Sequence, residues 1–180
     1  SSASHHQLKK LQYRTDLIKN STSKNGGIYI YSNLIGCDGN RLYFDGSSLI
    51  CCNGKFLSQC SQFSMKKVEV SSATINLKEV DIYRSSIKSR GVQASKMELY
   101  PEIKVDKYLS NSLNLVSNKI DVKFYDPMEE IALGPALWLW DYLRKSGLSG
   151  FFLPFRTSAI LLLGLKPSLI SNFTDLISSK

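Results

Sequence analysis

Hydrophobic positions in the first sixty residues change their period near residue 27, and this change predicts a helix followed by strands. Between residues 7 and 23 apolar side chains recur at helical spacing with basic residues between them. Asn25, Gly26 and Gly27 then predict the helix end. From Gly27 to Gly36 the pattern alternates and is rich in β-branched and aromatic residues, which is typical of a strand.

Turn residues divide the following stretch into further strands. A kink or bulge is predicted at Asp45-Gly46. Asn53-Gly54 predicts a tight hairpin, because both residue types tolerate the positive φ of a two-residue turn. We expect the strands near this hairpin to pair antiparallel. Residues 55–63 and residues 68–77 predict two more strands.

Capping signals mark two later helices. Asn76 predicts a helix start, with Glu79 three residues on. Residues 91–125 lose the pattern, and we expect an extended linker there. Residues 126–147 form the clearest helical segment, with the following signals: Asp126 as cap, Pro127 at the first helical position, Glu129 completing a capping box, Gly134-Pro135 as a kink or break, and Gly147 as the stop.

Charge and composition change the picture only slightly. The chain of 180 residues carries a net charge of +8 from 23 basic and 15 acidic side chains, which favours an anionic partner. The charges are dispersed, so a solvated basic face is favoured over nucleic-acid binding.

The polar N-terminus does not resemble a secretory signal. The longest apolar run, Ala159–Leu163, is far shorter than the roughly 20 residues of a membrane span. We expect a cytoplasmic protein without a membrane partner.

The residue types that carry chemistry are sparse. The cysteines lie in strand-like apolar contexts without C-x-x-C spacing, so buried free thiols are expected and no metal site is predicted: Cys37, Cys51, Cys52 and Cys60. Asp38, Asp45 and Glu69 could form a carboxylate pair, but Asp38 and Asp45 lie in turn contexts that favour local hydrogen bonds. No serine elbow, zinc spacing or glycine-rich phosphate loop occurs. Composition and pattern alone therefore indicate a basic α/β protein without an evident site.

Two stretches carry a resemblance. YSNLIGCDGNRLYFDGSSLICCNGKFLSQ, residues 31–59, resembles the C-terminal half of a nitrilase-type amidase domain, with its Asn-x-x-Gly, strand G-x-S, hairpin glycine and returning strand. PMEEIALGPALWLWDYLRKSGLSGFFLP, residues 127–154, is similar to the entry to the synthetase domain of glutamine-dependent NAD synthetases. YPEIKVD lies between them, in the order of the eukaryotic form of that family.

The resemblance implies an α/β fold: part of a nitrilase-type α-β-β-α sandwich, a linker, and the first helix and strand of an α/β nucleotide-binding domain. The implied boundaries are 1–90 for the glutaminase half, 91–125 for the linker, 126–154 for the synthetase start and 155–180 for a divergent tail. In the tail, Phe155 and Arg156 stand where the family continues with a glycine-rich pyrophosphate loop.

The family's implied activity joins two reactions. A Glu, Lys, Cys triad hydrolyses glutamine, and the ammonia amidates nicotinic acid adenine dinucleotide to NAD with ATP and magnesium. Ser4 and Lys10 are similar in position to a serine and an arginine that contact glutamine in bacterial relatives. Lysine keeps the charge but loses the bidentate fork. No catalytic, ATP-binding or metal residue of the family maps onto this chain.

Three functions follow as expectations. The first is a part of the synthetase that is inactive as this chain alone, with glutamine, ATP and the dinucleotide as the family's substrates and a homo-oligomer as the expected assembly. The alternative is a non-catalytic interaction fragment that associates with full-length synthetase subunits. A nucleic-acid binder, supported by charge only, is the third.

Overall fold

The structure is a computed structural model that describes residues 3–106 and 115–152. Its elements in chain order are α1 (Lys10–Asn25), β1 (Ile28–Tyr31), β2 (Ile35–Cys37), β3 (Tyr43–Asp45), β4 (Leu49–Cys52), β5 (Lys55–Gln59), α2 (Leu77–Ser85), α3 (Lys88–Ala94) and α4 (Pro127–Ser146). The predicted α1, α2 and α4 are confirmed. Asn76 caps α2 by accepting the Lys78 N–H at 3.1 Å.

The strands form two antiparallel sheets. One has the order β1-β4-β5, and the other is the hairpin β2-β3, which lies between β1 and β4 in the chain. The predicted hairpin at Asn53-Gly54 joins β4 to β5, with φ of 49° at Asn53 and 80° at Gly54. The run predicted as one strand from residue 27 to residue 36 is divided between the two sheets.

Helix α1 packs against the three-stranded sheet. Its buried stripe includes Leu11 and Ile18, which join Tyr31, Leu49 and other strand side chains in one apolar core. Leu8 and Leu17, which share the predicted helical pattern, are exposed. The stripe also contains Arg14, which is 7% exposed, and a charged group inside an apolar stripe requires a buried partner.

A second apolar cluster joins α4 to the rest of the fold. Leu137 on α4 packs with Tyr43 of β3 and with Phe63. The following partly buried side chains line the same cluster: Tyr125, Leu133, Trp138 and Trp140. Asp126 and Glu129 form the predicted capping box, and Gly147 adopts the left-handed stop.

One predicted strand is wrong. Residues 68–77 contain no strand, although Val68 and Val70 alternate with polar residues. Both valines are exposed. In the described part of the chain, Ser117 is bonded to Thr74 of this stretch twice, from the Ser117 N–H to the Thr74 carbonyl oxygen and from the Thr74 N–H to Ser117 Oγ, each at 2.9 Å. The resemblance also implies a strand after α4, at residues 151–153. Phe151 and Phe152 lie outside any strand, and Leu153 is outside the described residues.

Of the kink or break predicted at Gly134-Pro135, the break is wrong, because α4 continues through Pro135. The predicted linker is partly ordered: α3 reaches Ala94, and the stretch after residue 115 runs beside β5, where the Ile120 N–H donates to the Phe56 carbonyl at 2.8 Å. The predicted tail, 155–180, lies outside the described residues. Among the residues that are described, none of the helices has the length and apolar character needed to cross a membrane.

Candidate functional site

The segment that leads into α1, residues 4–10, is fixed at Ser4 by the side chain of Asn33. The Ser4 N–H donates to Asn33 Oδ1 at 2.9 Å, and Asn33 Nδ2 donates to the Ser4 carbonyl oxygen at 3.0 Å. One amide side chain therefore satisfies both backbone polar groups of Ser4. Asn33 follows β1 and is 9% exposed, so its own position is set by the sheet.

A buried ion pair lies next to this contact. Arg14 Nη2 lies 3.1 Å from Asp45 Oδ1, and Asp45 is completely buried. The same guanidinium nitrogen donates to Ser4 Oγ at 3.2 Å, and Nη1 donates to the Gly46 carbonyl oxygen at 3.3 Å. Gln62 Nε2 donates to Asp45 Oδ2 at 2.8 Å. The opposite charge and these further hydrogen bonds offset the cost of burying Arg14 and Asp45.

Asp45 therefore corrects the sequence-based interpretation. It was expected to serve a turn through local hydrogen bonds, but its carboxylate is bound by side chains from α1 and from residues 33 and 62. Asp38 does act as expected: its Oδ1 accepts the N–H groups of Asn40 and Leu42. Hydrogen bonding to the Asn40 amide, chiefly, lowers the pKa of Asp38.

Glu69, the third carboxylate considered, is also engaged locally. It accepts the Ser61 N–H and the Ser64 hydroxyl, each at 2.8 Å. Burial alone would raise the pKa of Glu69, but these hydrogen bonds outweigh it and the pKa lies below its usual value. The three carboxylates thus have separate partners, and the structure does not bring them together as an acid–base pair.

Helix α4 holds the other end of the segment. Glu130 Oε2 accepts the Lys9 N–H at 3.0 Å and lies 3.4 Å from His6 Nε2. Glu130 is 3% exposed. The His6 N–H donates to the Tyr43 carbonyl oxygen at 2.6 Å, and its ring meets the ring of Phe63 edge-on at 5.0 Å between centroids.

The two predicted glutamine-contacting residues lie at the two ends of this held segment. Ser4 is half-buried beside Asn33 and Arg14, and its hydroxyl oxygen already accepts one hydrogen bond. Lys10 is half-buried and is the first residue of α1. The positive end of a helix dipole and a lysine side chain both favour an anionic group near this point.

Sequence reasoning missed Arg14, Asn33 and Glu130 as parts of this site. The signal for Arg14 was its place in the helical stripe with Leu11 and Ile18, where an unpaired cation would be costly. Asn33 had been noted only as the first residue of Asn-x-x-Gly. No pattern in the sequence pointed to Glu130, because its partners are more than a hundred residues away.

The same helix also binds the hairpin of β2 and β3. Asp141 Oδ2 accepts the Cys37 N–H at 2.7 Å, and Lys145 Nζ donates to the Cys37 carbonyl oxygen at 2.6 Å. Arg144 donates to the other carboxylate oxygen of Asp141. Burial alone would raise the pKa of Asp141, but the bonds from Lys145, Cys37 and Arg144 outweigh it and lower the pKa.

The four cysteines are free and buried, as the sequence predicts. Burial raises the pKa of the thiols of Cys37, Cys51 and Cys52. A raised pKa opposes formation of the thiolate, which is the nucleophilic form. Within residues 3–106 and 115–152, no group of three or more His, Cys, Asp or Glu side chains is arranged to hold a metal ion.

Comparisons with known proteins agree with one another. The family model described as "Carbon-nitrogen hydrolase" matches residues 1–85. Glutamine-dependent NAD(+) synthetases of Bos taurus and Saccharomyces cerevisiae are 51% identical over 156 residues and 50% identical over 161 residues. These matches cover 85% and 86% of this chain and 22% of each relative, so the chain spans about a fifth of their length.

A solved structure shows the same fold. The glutamine-dependent NAD+ synthetase of Acinetobacter baumannii, in complex with ADP, matches with a TM-score of 0.54 and 17% identity, over 82% of this chain and 21% of that one. The resemblance seen in the sequence is thus confirmed by the relatives at about half identity. The chain belongs to the family of glutamine-dependent NAD(+) synthetases, and it represents a fragment that includes part of the carbon-nitrogen hydrolase domain.

Proposed function

We propose that this chain contributes one side of the glutamine site in the amidase half of a glutamine-dependent NAD synthetase, with Ser4 and Lys10 contacting the glutamine. The observation that carries the proposal is the fixation of Ser4: Asn33 holds both of its backbone polar groups, and Arg14 holds its hydroxyl. A substrate-contacting residue requires such positioning, because small displacements weaken directed hydrogen bonds.

The two residues take different roles in this proposal. Arg14 donates to Ser4 Oγ, which leaves the hydroxyl hydrogen of Ser4 to donate to an acceptor on glutamine. Lys10 lies at the start of α1 and supplies a charge for the α-carboxylate of glutamine. A lysine acts there as a point charge, so the orientation of the carboxylate depends on the rest of the site.

The 180 residues alone are proposed to catalyse neither half of the family reaction. Hydrolysis needs an activated nucleophile, and the buried thiols have raised pKa values at Cys37, Cys51 and Cys52. ATP and magnesium do not fit the residues in hand: the sequence has no glycine-rich phosphate loop, and the described part offers no metal-binding cluster.

Kinetics of a complete synthetase test the glutamine site. In a chimera, residues 1–152 replace the matching segment of the Saccharomyces cerevisiae relative. We expect Ser4→Ala and Lys10→Met each to raise the KM for glutamine about tenfold, which corresponds to the loss of one polar contact of about 1.4 kcal/mol. Lys9→Met is the matched control, because the exposed Lys9 uses its backbone N–H rather than its ammonium group.

Two results would refute the proposal. Unchanged glutamine KM values in Ser4→Ala and Lys10→Met would remove the assigned site. Glutamine hydrolysis or NAD formation by the purified 180-residue chain would remove the proposed inactivity.

A second candidate function, association with intact synthetase subunits, is favoured by the edge strand β1. Strand β1 lies at one edge of its sheet, and Ile30 is 66% exposed. Unpaired strand edges with apolar side chains favour strand pairing or docking. Co-purification of the chain with the intact enzyme, and its loss in Ile30→Lys, is the expected result. A monomeric chain that does not bind the intact enzyme would contradict it.

A further inference from the structure

Glu130 is a buried residue whose carboxylate bonds to two residues of the segment of the candidate glutamine site, His6 and Lys9. It belongs to α4, and it shares a buried helix face with Gly134, Leu137 and Asp141. Burial of a carboxylate is costly unless its oxygens are hydrogen-bonded. Here one oxygen accepts the Lys9 N–H at 3.0 Å, so the free energy of burying Glu130 is coupled to the position of Lys9.

Lys9 occupies a backbone conformation that needs support. It is the N-cap of α1, with φ of 60° and ψ of 6°, and its own side chain makes no capping hydrogen bond. The left-handed region is unfavourable for a residue that carries a Cβ atom. A carboxylate from another helix supplies the negative charge and the acceptor that the start of α1 otherwise lacks.

His6 is held by the same helix. Its Nε2 lies 3.4 Å from Glu130 Oε2, and a Cβ atom placed on Gly134 would lie 3.4 Å from its Nδ1. Helix α4 therefore lies directly against the imidazole at Gly134, where even a Cβ atom would meet the ring at ordinary contact distance. The ring also meets Phe63 edge-on. His6 and Lys9 lie between Ser4 and Lys10 in the chain, so α4 contacts the stretch that joins the two proposed glutamine contacts.

We propose that Glu130 is a positioning residue for glutamine binding: from α4 it fixes Lys9 and His6, and through them the placement of Lys10 and Ser4. The inference rests on the proposed function. In this proposal α4, whose sequence is similar to the entry of the synthetase domain, completes the glutamine site in the hydrolase part of the chain.

The test compares two nitrogen donors in the chimeric synthetase described above. Glutamine-dependent NAD formation requires the glutamine site, whereas added ammonia bypasses it. We expect Glu130→Ala to raise the KM for glutamine about tenfold, the effect of losing one hydrogen bond to a charged acceptor, while ammonia-dependent kcat and KM stay unchanged. Glu130→Gln retains an oxygen that accepts the Lys9 N–H, so we expect its glutamine KM to stay within about threefold of the wild-type value.

Glu129→Gln is the matched control. It is the adjacent residue on the same helix, its carboxylate accepts the Asp126 N–H, and the substitution retains an acceptor. We expect its KM for glutamine and its ammonia-dependent activity to match those of the wild type.

Each other outcome overturns the inference. An unchanged glutamine KM in Glu130→Ala shows that the contact does not position the site. A loss of ammonia-dependent activity, or equal impairment in Glu130→Gln, shows a structural or charge effect rather than positioning through the acceptor. If Ser4→Ala and Lys10→Met raise the KM while Glu130→Ala does not, the inference fails and the proposed function stands. If neither Ser4→Ala nor Lys10→Met changes the KM for glutamine, the assigned glutamine site is wrong, and the inference that rests on it fails with it.

Discussion

At the scale of single residues, Asp38 and Asp45 show how similar local contexts lead to different roles. Each precedes a glycine in a turn-rich stretch. Asp38 bonds to backbone amides two and four residues later, whereas Asp45 pairs with Arg14 on α1. The local context determines only whether a turn can form. Whether the carboxylate faces solvent or a buried guanidinium depends on which helix packs over the turn.

Gly36 offers a sharp residue-scale prediction. Its φ is 106°, and a Cβ atom there would lie 2.1 Å from Asp141 Oδ2. Gly36→Ala is therefore expected to lower the free energy of unfolding by about 2–4 kcal/mol, through backbone strain and displacement of a buried carboxylate. Urea unfolding followed by tryptophan fluorescence measures the change.

Gly39→Ala is the control for that substitution. Gly39 also has a positive φ, of 84°, but a Cβ atom there meets nothing within 4 Å. Only backbone strain remains, so a loss of about 1 kcal/mol is expected. Equal losses in the two variants would show that Asp141 does not hold the hairpin of β2 and β3 in solution.

At the scale of elements, β4 is the central strand, paired on both sides by β1 and β5. Its two cysteines are buried, Cys51 completely and Cys52 to 7% exposure. Burial raises the pKa of both thiols, and a hydrogen bond between Thr22 Oγ1 and Cys51 Sγ opposes this shift at Cys51. The neutral thiol is thus the form that fits the strand.

A pH dependence of stability follows from these thiols. Below the ordinary thiol pKa of about 8.5, folded and unfolded states both keep the proton and the stability is complete. Above it the unfolded state ionises first, so the free energy of unfolding should fall as the pH rises from about 8.5 to about 10. Cys51→Ala should flatten this slope. Native protein should also resist iodoacetamide at pH 7.5. Rapid alkylation of the folded chain, or an unchanged stability across the range, would contradict the prediction.

Helix α4 and residues 68–77 show which element predictions succeed. The limits of α4 were predicted correctly because Asp126, Glu129 and Gly147 act within one turn of the helix ends. The strand predicted at residues 68–77 was wrong. Alternating apolar and polar residues indicate only that one face of an extended segment is apolar, whereas a strand also needs a neighbouring strand to pair with along its length. Val70 remains 87% exposed without such a neighbour.

At the scale of the whole molecule, α4 connects the parts that were expected to form separate units. Glu130 reaches the segment before α1, Leu137 fills the second apolar cluster, and Asp141 holds Cys37 of β2. Residues 3–63 and α4 therefore share buried contacts of three kinds. We therefore expect residues 3–63 and α4 to unfold together.

Truncation tests this coupling. A chain that ends at residue 125 loses the packing of Leu137 and the acceptors for Lys9 and Cys37, so we expect its free energy of unfolding to fall by at least about 3 kcal/mol. Exposure of Tyr43 and Phe63 should increase binding of the dye ANS. A chain ending at residue 152 is the control. The same unfolding midpoint for both chains would show that α4 is an independent unit.

The sequence by itself determined the elements whose causes are local: α1 and its glycine stop, the Asn53-Gly54 hairpin, and the capped ends of α4. It also determined the family, because about half of the residues are shared with the relatives. Only the tertiary structure decided the partners of Arg14, Asp45 and Glu130. Each of these charges is satisfied by a group at least 31 residues away in the chain, and such a pairing depends on how helices dock rather than on any pattern within one element.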